Sequence, residues 1–329
     1  MAEAPAGTST TSVDAQLEQY RVELTGYCYR MLGSAFEAED AVQDTFVRAW
    51  KAYDRFEGRS SLRSWLYRIA TNVCFDLLDG RQRRALPMDL TGPRSADTPL
   101  PEPLPEMTWL QPVPDRRVLP DVSDPAAAAE LRETIRLAFI TSLQLLPPRQ
   151  RAVLILREVL QWPAADVAEL LDTTVASVNS ALQRARATLE TSNVTSADAA
   201  PPMDDRTKEL LARYVDAFER YDMAALTALL REDAMWSMPP YDLWLRGHED
   251  IVKWCLGQGS ACEGSRLLPT TANGAPAFAQ YKPDPVNGGL AAWSLQVLDV
   301  RDGEIHGVVF FLDTEKYFPL FGLPPRLDA

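Results

Sequence analysis

The chain has 329 residues, of which 46% are hydrophobic and 24% are charged, a composition typical of a folded protein with room for two or three domains. This composition excludes a peptide hormone, a collagen-like fibre and a wholly disordered chain. The net charge of −13, taken as an average, argues against a protein that coats nucleic acid through bulk positive charge.

The four cysteines predict reduced thiols rather than a disulfide or metal framework. They lack a Cys-x-x-Cys motif, only two histidines could join them, and they lie far apart at Cys28, Cys74, Cys255 and Cys262. No apolar run approaches the roughly 18 residues that span a bilayer, and the N-terminus lacks the basic and apolar regions of a signal peptide. We therefore expect a cytoplasmic protein with no metal, no cofactor and no membrane association.

The charge is unevenly distributed along the first 128 residues. Residues 14–86 carry eleven basic and eleven acidic side chains, yet positions 48–84 within them hold nine basic side chains against four acidic ones. Residues 87–128 contain 10 of the 25 prolines, with three basic and seven acidic side chains. That composition predicts an extended acidic linker that cannot bury a core.

Two further modules follow the linker. Residues 129–191 form the second module, residues 192–203 a short Ser/Thr/Ala/Pro linker, and residues 204–329 a third module with 12 basic and 19 acidic side chains. Most of the acidity therefore belongs to the first linker and the last module, and a basic stripe lies inside an acidic protein.

The first module contains two helical patterns separated by a Gly- and Ser-containing turn. The first helix is predicted over residues 37–52, with an apolar side formed by Val42, Phe46, Ala49 and Trp50. The second is predicted over residues 62–79, with a core stripe formed by Leu62, Leu66, Ile69, Val73 and Leu77. Its other faces carry Arg63, Trp65, Tyr67, Arg68, Thr71, Asn72 and Phe75. Such a pattern indicates either core aromatics beside a solvated basic face or a surface for single-stranded nucleic acid, whose phosphates pair with guanidinium groups and whose bases stack on rings.

The first module resembles conserved region two of the extracytoplasmic-function (ECF) sigma factors of bacterial RNA polymerase over the run AEDAVQDTFVRAWKAYDRFEGRSSLRSWLYRIATNVCFDLLD. The resemblance implies that the first helix docks on the clamp coiled coil of the polymerase β′ subunit through Asp40, Gln43, Asp44, Phe46 and Trp50. It also implies that the following loop and helix capture the −10 promoter element, where melting takes a base out of the stack. The candidate residues there are Arg59, Arg63, Trp65, Arg68 and Asn72.

The second module predicts a helix-turn-helix motif. Residues 164–171 form the first helix, Asp172 and Thr173 lie in the turn, and Thr174 caps the second helix. On the second helix Val178, Leu182, Ala185 and Leu189 recur at the spacing of a buried face. The outward and flanking side chains are of the types that contact base edges and phosphates: Ser177, Asn179, Ser180, Gln183, Arg184 and Arg186.

A helix-turn-helix pattern alone also fits any two packed helices. However, the run LPPRQRAVLILREVLQWPAADVAELLDTTVASVNSALQRARATLE resembles region four of ECF sigma factors. The resemblance implies that the second helix reads the −35 promoter element.

The third module begins with an amphipathic helix and continues with a period of two, which together predict an α+β fold with a curved antiparallel sheet. From TKELLARYVDAFERYDMAALTALL onward it resembles the nuclear-transport-factor-two-like (NTF2-like), SnoaL-like polyketide-cyclase superfamily. The resemblance implies a cone-shaped domain whose interior could hold a small molecule. Candidate lining residues are Tyr214, Asp233, Trp236, Trp293 and His306, although aromatics at these spacings also simply fill a core.

An apolar motif, Trp-Leu-Gln-Pro-Val-Pro-Asp, interrupts the polar linker at residues 109–115. ECF subgroups with a fused SnoaL-like domain resemble this chain, and the resemblance implies that Trp109, Leu110 and Pro112 dock against the fused domain. It further implies autoregulation, in which the C-terminal domain adjusts access to the polymerase in place of a separate anti-sigma factor.

We therefore expect two all-α domains followed by an α+β cone, without catalytic residues. The expected function is promoter-specific initiation of transcription, with the β′ clamp and β subunit of bacterial core RNA polymerase, promoter DNA and a possible small-molecule ligand as partners. Two alternatives remain open. One is a ligand-responsive repressor that binds operators through residues 164–190, and the other is a DNA-tethered cyclase or isomerase that uses Asp233 or His306.

Overall fold

The computed structural model describes residues 10–58, 60–191 and 204–328. Within these residues the chain forms two compact units, each assembled from three separate segments. The first unit contains residues 10–81, 116–121 and 142–191, and the second contains residues 82–115, 122–141 and 204–328.

The N-terminal part of the first unit is a bundle of four helices, α1 (Thr10–Glu18), α2 (Arg21–Leu32), α3 (Ala35–Ala52) and α4 (Leu62–Leu78). Side-chain hydroxyls cap the last two helices. The Ser34 hydroxyl accepts the backbone N–H of Glu37, and the Ser61 hydroxyl accepts that of Ser64. These caps place the helix starts close to the positions that the sequence predicts.

The buried face of α4 is wider than the predicted stripe. Leu66 and Val73 are buried as expected, but Tyr67 and Thr71, which the sequence places on outer faces, are fully buried as well. The Tyr27 hydroxyl of α2 is 2.8 Å from the Thr71 hydroxyl, and the Tyr27 and Tyr67 rings meet edge to face. The prediction for Tyr67 and Thr71 was wrong because α4 packs on more than one side, which a single apolar period does not reveal.

Two helices follow the N-terminal bundle along the chain, before those of the second module. They are a short helix, α5 (Asp115–Val118), and a longer one, α6 (Pro125–Glu133). That module contains α7 (Leu137–Gln144), α8 (Pro148–Leu154), α9 (Ala164–Leu170) and α10 (Val175–Thr191), with a π-helical turn after α8. The predicted helix-turn-helix is confirmed as α9 and α10. Val178, Leu182 and Ala185 are buried, and the Thr174 hydroxyl accepts the Ser177 N–H.

The C-terminal domain combines a mixed sheet with helices. Its helices are α11 (Asp205–Glu219), α12 (Met223–Thr227), α13 (His248–Leu256) and α14 (Thr314–Phe321). Its strands are β1 (Leu230–Ser237), β2 (Trp244–Arg246), β3 (Arg266–Ala272), β4 (Ala275–Pro283), β5 (Leu290–Arg301), β6 (Glu304–Phe311) and β7 (Arg326–Leu327). The sheet order is β2-β1-β6-β5-β4-β3, β7 pairs with β5, and every pairing except β1 with β6 is antiparallel. The expected α+β cone is confirmed.

The sheet has two differently covered faces because successive strand residues point to opposite sides. The inner face packs against α11 and α13, and its core includes Tyr214, Trp236, Phe278 and Phe310. On the outer face, α14 covers part of the sheet through contacts such as that of Phe318 with Tyr281. Residues 86–89 and 136–141 line another part of the outer face.

The linker differs from the extended spacer that its composition predicts. It contains few helical turns, as expected from its prolines, but Ala96, Trp109, Leu110 and Val113 are all buried. The prediction that it buries no core was wrong, because Ala96 joins the core of the C-terminal domain and Pro114 forms a β-bridge with Ala272 of β3.

Candidate nucleic-acid interface and docked linker

Helix α3 presents an acidic and apolar face. Asp40 and Gln43 are exposed along this face, Val47 is 43% exposed, and Trp50, which the sequence places on the buried side, is 51% exposed. Large apolar side chains at helical spacing on a surface typically mark an interaction site. Of the two other candidates, Asp44 pairs with Arg48 at 2.8 Å, and the half-buried Phe46 lies 5.0 Å beneath the Arg21 guanidinium.

Arg63 is held in place by several groups. Its guanidinium pairs with Glu23 at 2.9 Å and lies 5.2 Å from the ring centres of both Tyr67 and Trp162. Burial lowers the pKa of Arg63, but the hydrogen bonds to Glu23 and the interactions with Glu23 and Tyr67 together raise it above the ordinary value, so the guanidinium stays charged. Arg59 lies outside the described residues.

The remaining candidates for the −10 element lie on or beside the same helix. Trp65 stacks on Phe56 with ring centres 4.9 Å apart, and Asn72 is exposed. Arg68 donates a hydrogen bond to the carbonyl of Glu169 in α9. Helix α4 therefore packs on α9 through Arg68 and on Trp162, just before α9, through Arg63 and Tyr67.

A buried arginine, which the sequence analysis missed, also joins the two helical modules. Arg151 of α8 is 3% exposed and donates to the Met31 carbonyl of α2 and, at 2.7 Å, to the Gln144 side chain. Burial lowers its pKa to about 10. No signal in the run PPRQRAVL distinguishes Arg151 from its surface neighbour Arg149.

The candidates for the −35 element share one property on α10. All six side chains are exposed, while the opposite face of the helix is buried. Arg186 pairs with Glu158 at 2.5 Å. Helix α10 thus presents polar and basic groups of the kinds that read a major groove, and these are Ser177, Asn179, Ser180, Gln183, Arg184 and Arg186.

The linker motif lies in the second unit, among buried groups. Trp109 is 3% exposed, Leu110 is fully buried, and Pro112 is buried as well. The Arg84 guanidinium donates to the Trp109 carbonyl at 2.7 Å, and the Leu110 N–H donates to the Ala85 carbonyl at 3.0 Å. Arg84 and Ala85, which lie just before the linker, are therefore hydrogen-bonded to the Trp109 motif.

Asn273 holds two separate points of the linker and the segment after it. Its backbone N–H and side-chain oxygen form a reciprocal pair of 3.0 Å hydrogen bonds with the backbone of Val113. Its side-chain amide donates to the Ile135 carbonyl at 2.8 Å. Asn273 and Gly274 both have positive φ angles, in the tight turn between β3 and β4. The Asn-Gly pair signals such a turn in the sequence, but not its contact with the linker.

Further contacts run along the C-terminal domain. Trp244 donates its indole N–H to the Thr91 carbonyl at 2.9 Å, and the Arg94 guanidinium pairs with Asp242 at 2.7 Å. Beyond the linker, near the start of the second helical module, Arg136 pairs at 2.7 Å with Asp299 of β5. Both ends of the segment that joins the two helical modules are therefore attached to the C-terminal domain.

Two of the predicted pocket residues lie inside the cone. The Tyr214 hydroxyl donates to the Gln296 side chain at 2.7 Å, and Gln296 donates to Gln280 at 3.0 Å. Trp236 packs against Phe310 with ring centres 4.8 Å apart. This part of the interior is therefore a packed core with a connected polar network.

The other three pocket candidates lie elsewhere. Asp233 is 44% exposed and pairs with Arg231 at 2.7 Å, and the His306 ring is 3.3 Å from the same arginine. Trp293 lies under the Lys282 ammonium, with 3.2 Å between the nitrogen and the ring centre. The structure therefore does not bring the five predicted residues together around one pocket.

Three family matches follow the order of the modules. Residues 17–84 match sigma-70 region 2, residues 136–189 match sigma-70 region 4, and residues 211–308 match the SnoaL-like domain. The fold and these matches define the class: a sigma factor with two helical regions and an appended SnoaL-like domain.

Similarity to curated proteins narrows the class to a family. Over 327 residues the chain is 46% identical to the ECF RNA polymerase sigma factor SigG of Mycobacterium tuberculosis, covering 98% of this chain and 87% of the relative. It is 26% identical to SigJ of the same organism, covering 92% of each. The ECF factor SigW of Bacillus subtilis is 31% identical over 52% of this chain and 82% of its own length. The chain therefore belongs to the ECF RNA polymerase sigma factors, and it functions in promoter-specific initiation of transcription.

A solved structure has the same architecture. The crystal structure of Mycobacterium tuberculosis SigJ matches with a TM-score of 0.59 at 23% identity, covering 95% of this chain and all of that one. In the residues described here, no helix has the length and apolar character needed to cross a membrane. The same residues contain no group of three or more histidine, cysteine or acidic side chains arranged to hold a metal ion.

Proposed function

We propose that this sigma factor regulates itself, in that its C-terminal domain holds regions 2 and 4 in a closed arrangement until the linker is released. The observation that carries the proposal is the attachment of both ends of the segment between the two regions. One end is fastened through Thr91 and Arg94 to Trp244 and Asp242. The other is fastened through Ile135 and Arg136 to Asn273 and Asp299.

The closed arrangement of the helical unit supports this proposal. Arg63 and Arg68 of α4 contact Trp162 and Glu169 of the region that contains the helix-turn-helix. The −10 and −35 elements are about 25 base pairs apart, which is roughly 85 Å at 3.4 Å per base pair. Helices in mutual contact do not reach both elements at once, so region 2 and region 4 must separate before they bind a promoter.

In the open state we assign one partner to each exposed surface. The α3 face of Asp40, Gln43, Asp44, Phe46 and Trp50 binds the β′ clamp of core RNA polymerase. The melted −10 strand binds to Arg63, Trp65, Arg68 and Asn72, and to Arg59, which lies outside the described residues. The exposed side of α10 reads the −35 element while region 4 lies on the β subunit. When polymerase holds regions 2 and 4 together, their two modest DNA contacts act as a single bivalent interaction. We place this activity in the cytoplasm.

We assign the C-terminal domain a regulatory role rather than a catalytic one. Asp233 is already paired with Arg231 and, at 3.5 Å, with Arg246. Among the described residues, no aspartate, glutamate or histidine is buried within the cone. A carboxylate or imidazole general base in a desolvated site is therefore not present among the described residues that are buried in the interior.

The proposal is tested by removing one attachment without unfolding the domain. Asn273→Gly removes the side chain that holds Val113 and Ile135, and glycine tolerates the positive φ of this turn. Asn287→Gly is the matched control, because the Asn287 side chain bonds only to Asp284 of its own turn.

The measurement is the distance between spin labels at Asp79→Cys in region 2 and Glu190→Cys in region 4, recorded by pulsed electron resonance on full-length protein carrying Cys262→Ser. We expect a longer, broader distance distribution for Asn273→Gly, and an unchanged distribution for Asn287→Gly. Identical distributions in all three proteins would show that the attachment does not hold the regions closed.

A further inference from the structure

The outer face of the C-terminal sheet carries a cavity of about 220 Å³ that the sequence analysis did not predict. Its walls come from three places in the second unit: residues 86–89, residues 136–141 and strands β1, β5 and β6. Most of the lining is apolar and includes Met88, Leu137, Ala138, Met235, Val297 and Val309.

This cavity borders Leu298 and Val308 of the inner core, but neither Tyr214 nor Trp236 lines it. Met235 lies between Ala234 and Trp236, which belong to the core on the inner face. Val297 and Val309 are opposite each other in the pairing of β5 with β6, and each is flanked by a residue of the inner core. Because neighbouring strand residues point to opposite faces, a ligand in this cavity would not touch Tyr214 or Trp236.

One polar group in the cavity wall has no partner among the described residues. The hydroxyl oxygen of Thr141 is inaccessible to solvent and accepts or donates no hydrogen bond there. A buried polar group without a partner costs free energy, typically about 1–3 kcal/mol. Because the oxygen is out of reach of a water-sized molecule, the Thr141 side chain must rotate to present it to the cavity. A bound molecule with one hydroxyl or carbonyl group would then supply the missing hydrogen bond.

The charged groups of the cavity already neutralise one another. Asp299 pairs with Arg136 at 2.7 Å and with Arg301 at 2.9 Å, and the Asp89 carboxylate accepts the Leu86 N–H at 2.7 Å. Both guanidinium groups thus pair with Asp299, and the Asp89 carboxylate accepts a backbone N–H. A charged ligand would have to break one of these pairs, so the site favours an uncharged molecule.

We propose that this cavity binds a small, uncharged, mainly apolar molecule with a single hydroxyl or carbonyl group that hydrogen-bonds to Thr141. Its volume is below the range of about 300–1,000 Å³ that is typical of drug-sized ligands, so the molecule is about the size of one or two fused rings. Two walls of the cavity are residues 86–89, at the start of the linker, and residues 136–141, at the start of region 4. Occupancy therefore fastens both of these segments more tightly, and this regulatory consequence rests on the proposed function.

Binding is tested on the full-length protein with three related probes. 2-Naphthol has the size and the hydroxyl that the site favours, naphthalene lacks the hydroxyl, and 2-naphthoate carries a charge. We expect calorimetry or ligand-observed NMR to give the order 2-naphthol, naphthalene, 2-naphthoate, from tightest to weakest. Thr141→Val should weaken 2-naphthol binding about fivefold and leave naphthalene unchanged, because a single neutral hydrogen bond is lost.

Two further variants locate the site. Ala138→Leu fills the cavity from an exposed helix position and should weaken both ring compounds at least tenfold. Tyr214→Phe removes a hydroxyl inside the cone and should change neither affinity. The absence of saturable 2-naphthol binding, binding that is insensitive to Thr141→Val and Ala138→Leu, or binding lost in Tyr214→Phe would overturn the proposed site.

The regulatory consequence has its own readout. With core RNA polymerase, saturating 2-naphthol should reduce promoter-specific run-off transcription by the wild-type protein and leave transcription by Ala138→Leu unchanged. If 2-naphthol binds as expected but does not alter transcription, the site stands and the link between the linker and sigma activity is wrong. If binding fails while Asn273→Gly still opens the helical unit, the proposed function stands and the site is wrong.

Discussion

Arg63 and Arg68 show how a single side chain can have two roles in this protein. Both lie on α4, where the sequence predicts contact with the −10 element. In the structure Arg63 packs on Trp162, and Arg68 donates to Glu169. Guanidinium groups suit both tasks, since they stack on aromatic rings and pair with phosphates. We infer that promoter DNA replaces the contacts of these arginines with region 4.

Arg184 provides the most direct test of promoter reading at the level of one residue. It is exposed on α10, away from the buried face. Arg184→Ala should weaken binding of the polymerase complex to its promoter about tenfold, as expected for one lost contact to a base or phosphate. Filter binding or fluorescence anisotropy at several salt concentrations measures this. Arg213→Ala, an exposed arginine on α11, is the control, and an equal loss in both variants would contradict the assignment.

Asp89 should give a pH-dependent contribution to stability. Burial raises its pKa above the ordinary carboxyl value, so the folded protein binds the proton more tightly than the unfolded chain. The free energy of unfolding of the wild type should therefore rise relative to Asp89→Asn as the pH falls from 7 through the folded pKa. The change should end below about pH 4, where the carboxyl is protonated in both states.

Urea unfolding of both proteins at several pH values measures this difference. Asparagine keeps an oxygen that can accept the Leu86 N–H but does not titrate, so the comparison isolates ionisation. A difference that stays constant, or that grows in favour of the wild type as the pH rises, would show that Asp89 is not destabilised by burial.

At the scale of elements, the sequence predicts best where local signals decide the structure. Helices α3 and α10 lie where periodicity and a capping hydroxyl place them. The sequence misjudges the buried face of α4 because this helix packs on more than one side, which buries Tyr67 and Thr71 as well. No local sequence pattern indicates the second packed side. Trp50 resembles a core residue in the pattern, yet it is exposed.

The linker shows the same limit more strongly. Its prolines correctly predict an absence of long helices, but its packing depends on groups more than a hundred residues away, such as Asn273 and Trp244. The pocket candidates fail to converge for a related reason. The order of the strands and the two faces of the sheet, rather than the spacing along the chain, decide which side chains meet.

Trp109 provides the test of linker docking. It is 3% exposed in the second unit, so Trp109→Ala should lower the free energy of unfolding of that unit by about 3 kcal/mol through lost burial and the cavity left behind. Met107→Ala is the matched control two residues earlier, since Met107 is 60% exposed and its loss should cost less than about 0.5 kcal/mol.

Denaturant unfolding and limited proteolysis of residues 82–115 check this pair of variants. Trp109→Ala should also expose the linker to protease, whereas Met107→Ala should not. Similar stability and cleavage for both variants would mean that the linker is not anchored by its apolar motif.

At the scale of the whole molecule, the net charge of −13 no longer argues against DNA. It is the sum of two nearly neutral helical regions, an acidic linker and an acidic C-terminal domain. The two compact units also cross the boundaries of the sequence modules, because residues 122–141 pack with the C-terminal domain. A segmental count of charge suggests three modules, but only the folded chain reveals that the third holds the connection between the first two.

Run-off transcription from a promoter library tests the central claim most directly. Core RNA polymerase is mixed with the full-length wild type, Asn273→Gly or Asn287→Gly, and the transcripts are sequenced and counted. We predict the same promoter-specific start sites for all three proteins, with more transcript from Asn273→Gly at limiting protein concentration. The absence of promoter-specific starts would contradict the sigma-factor function, and equal transcript from all three would contradict its regulation by the C-terminal domain.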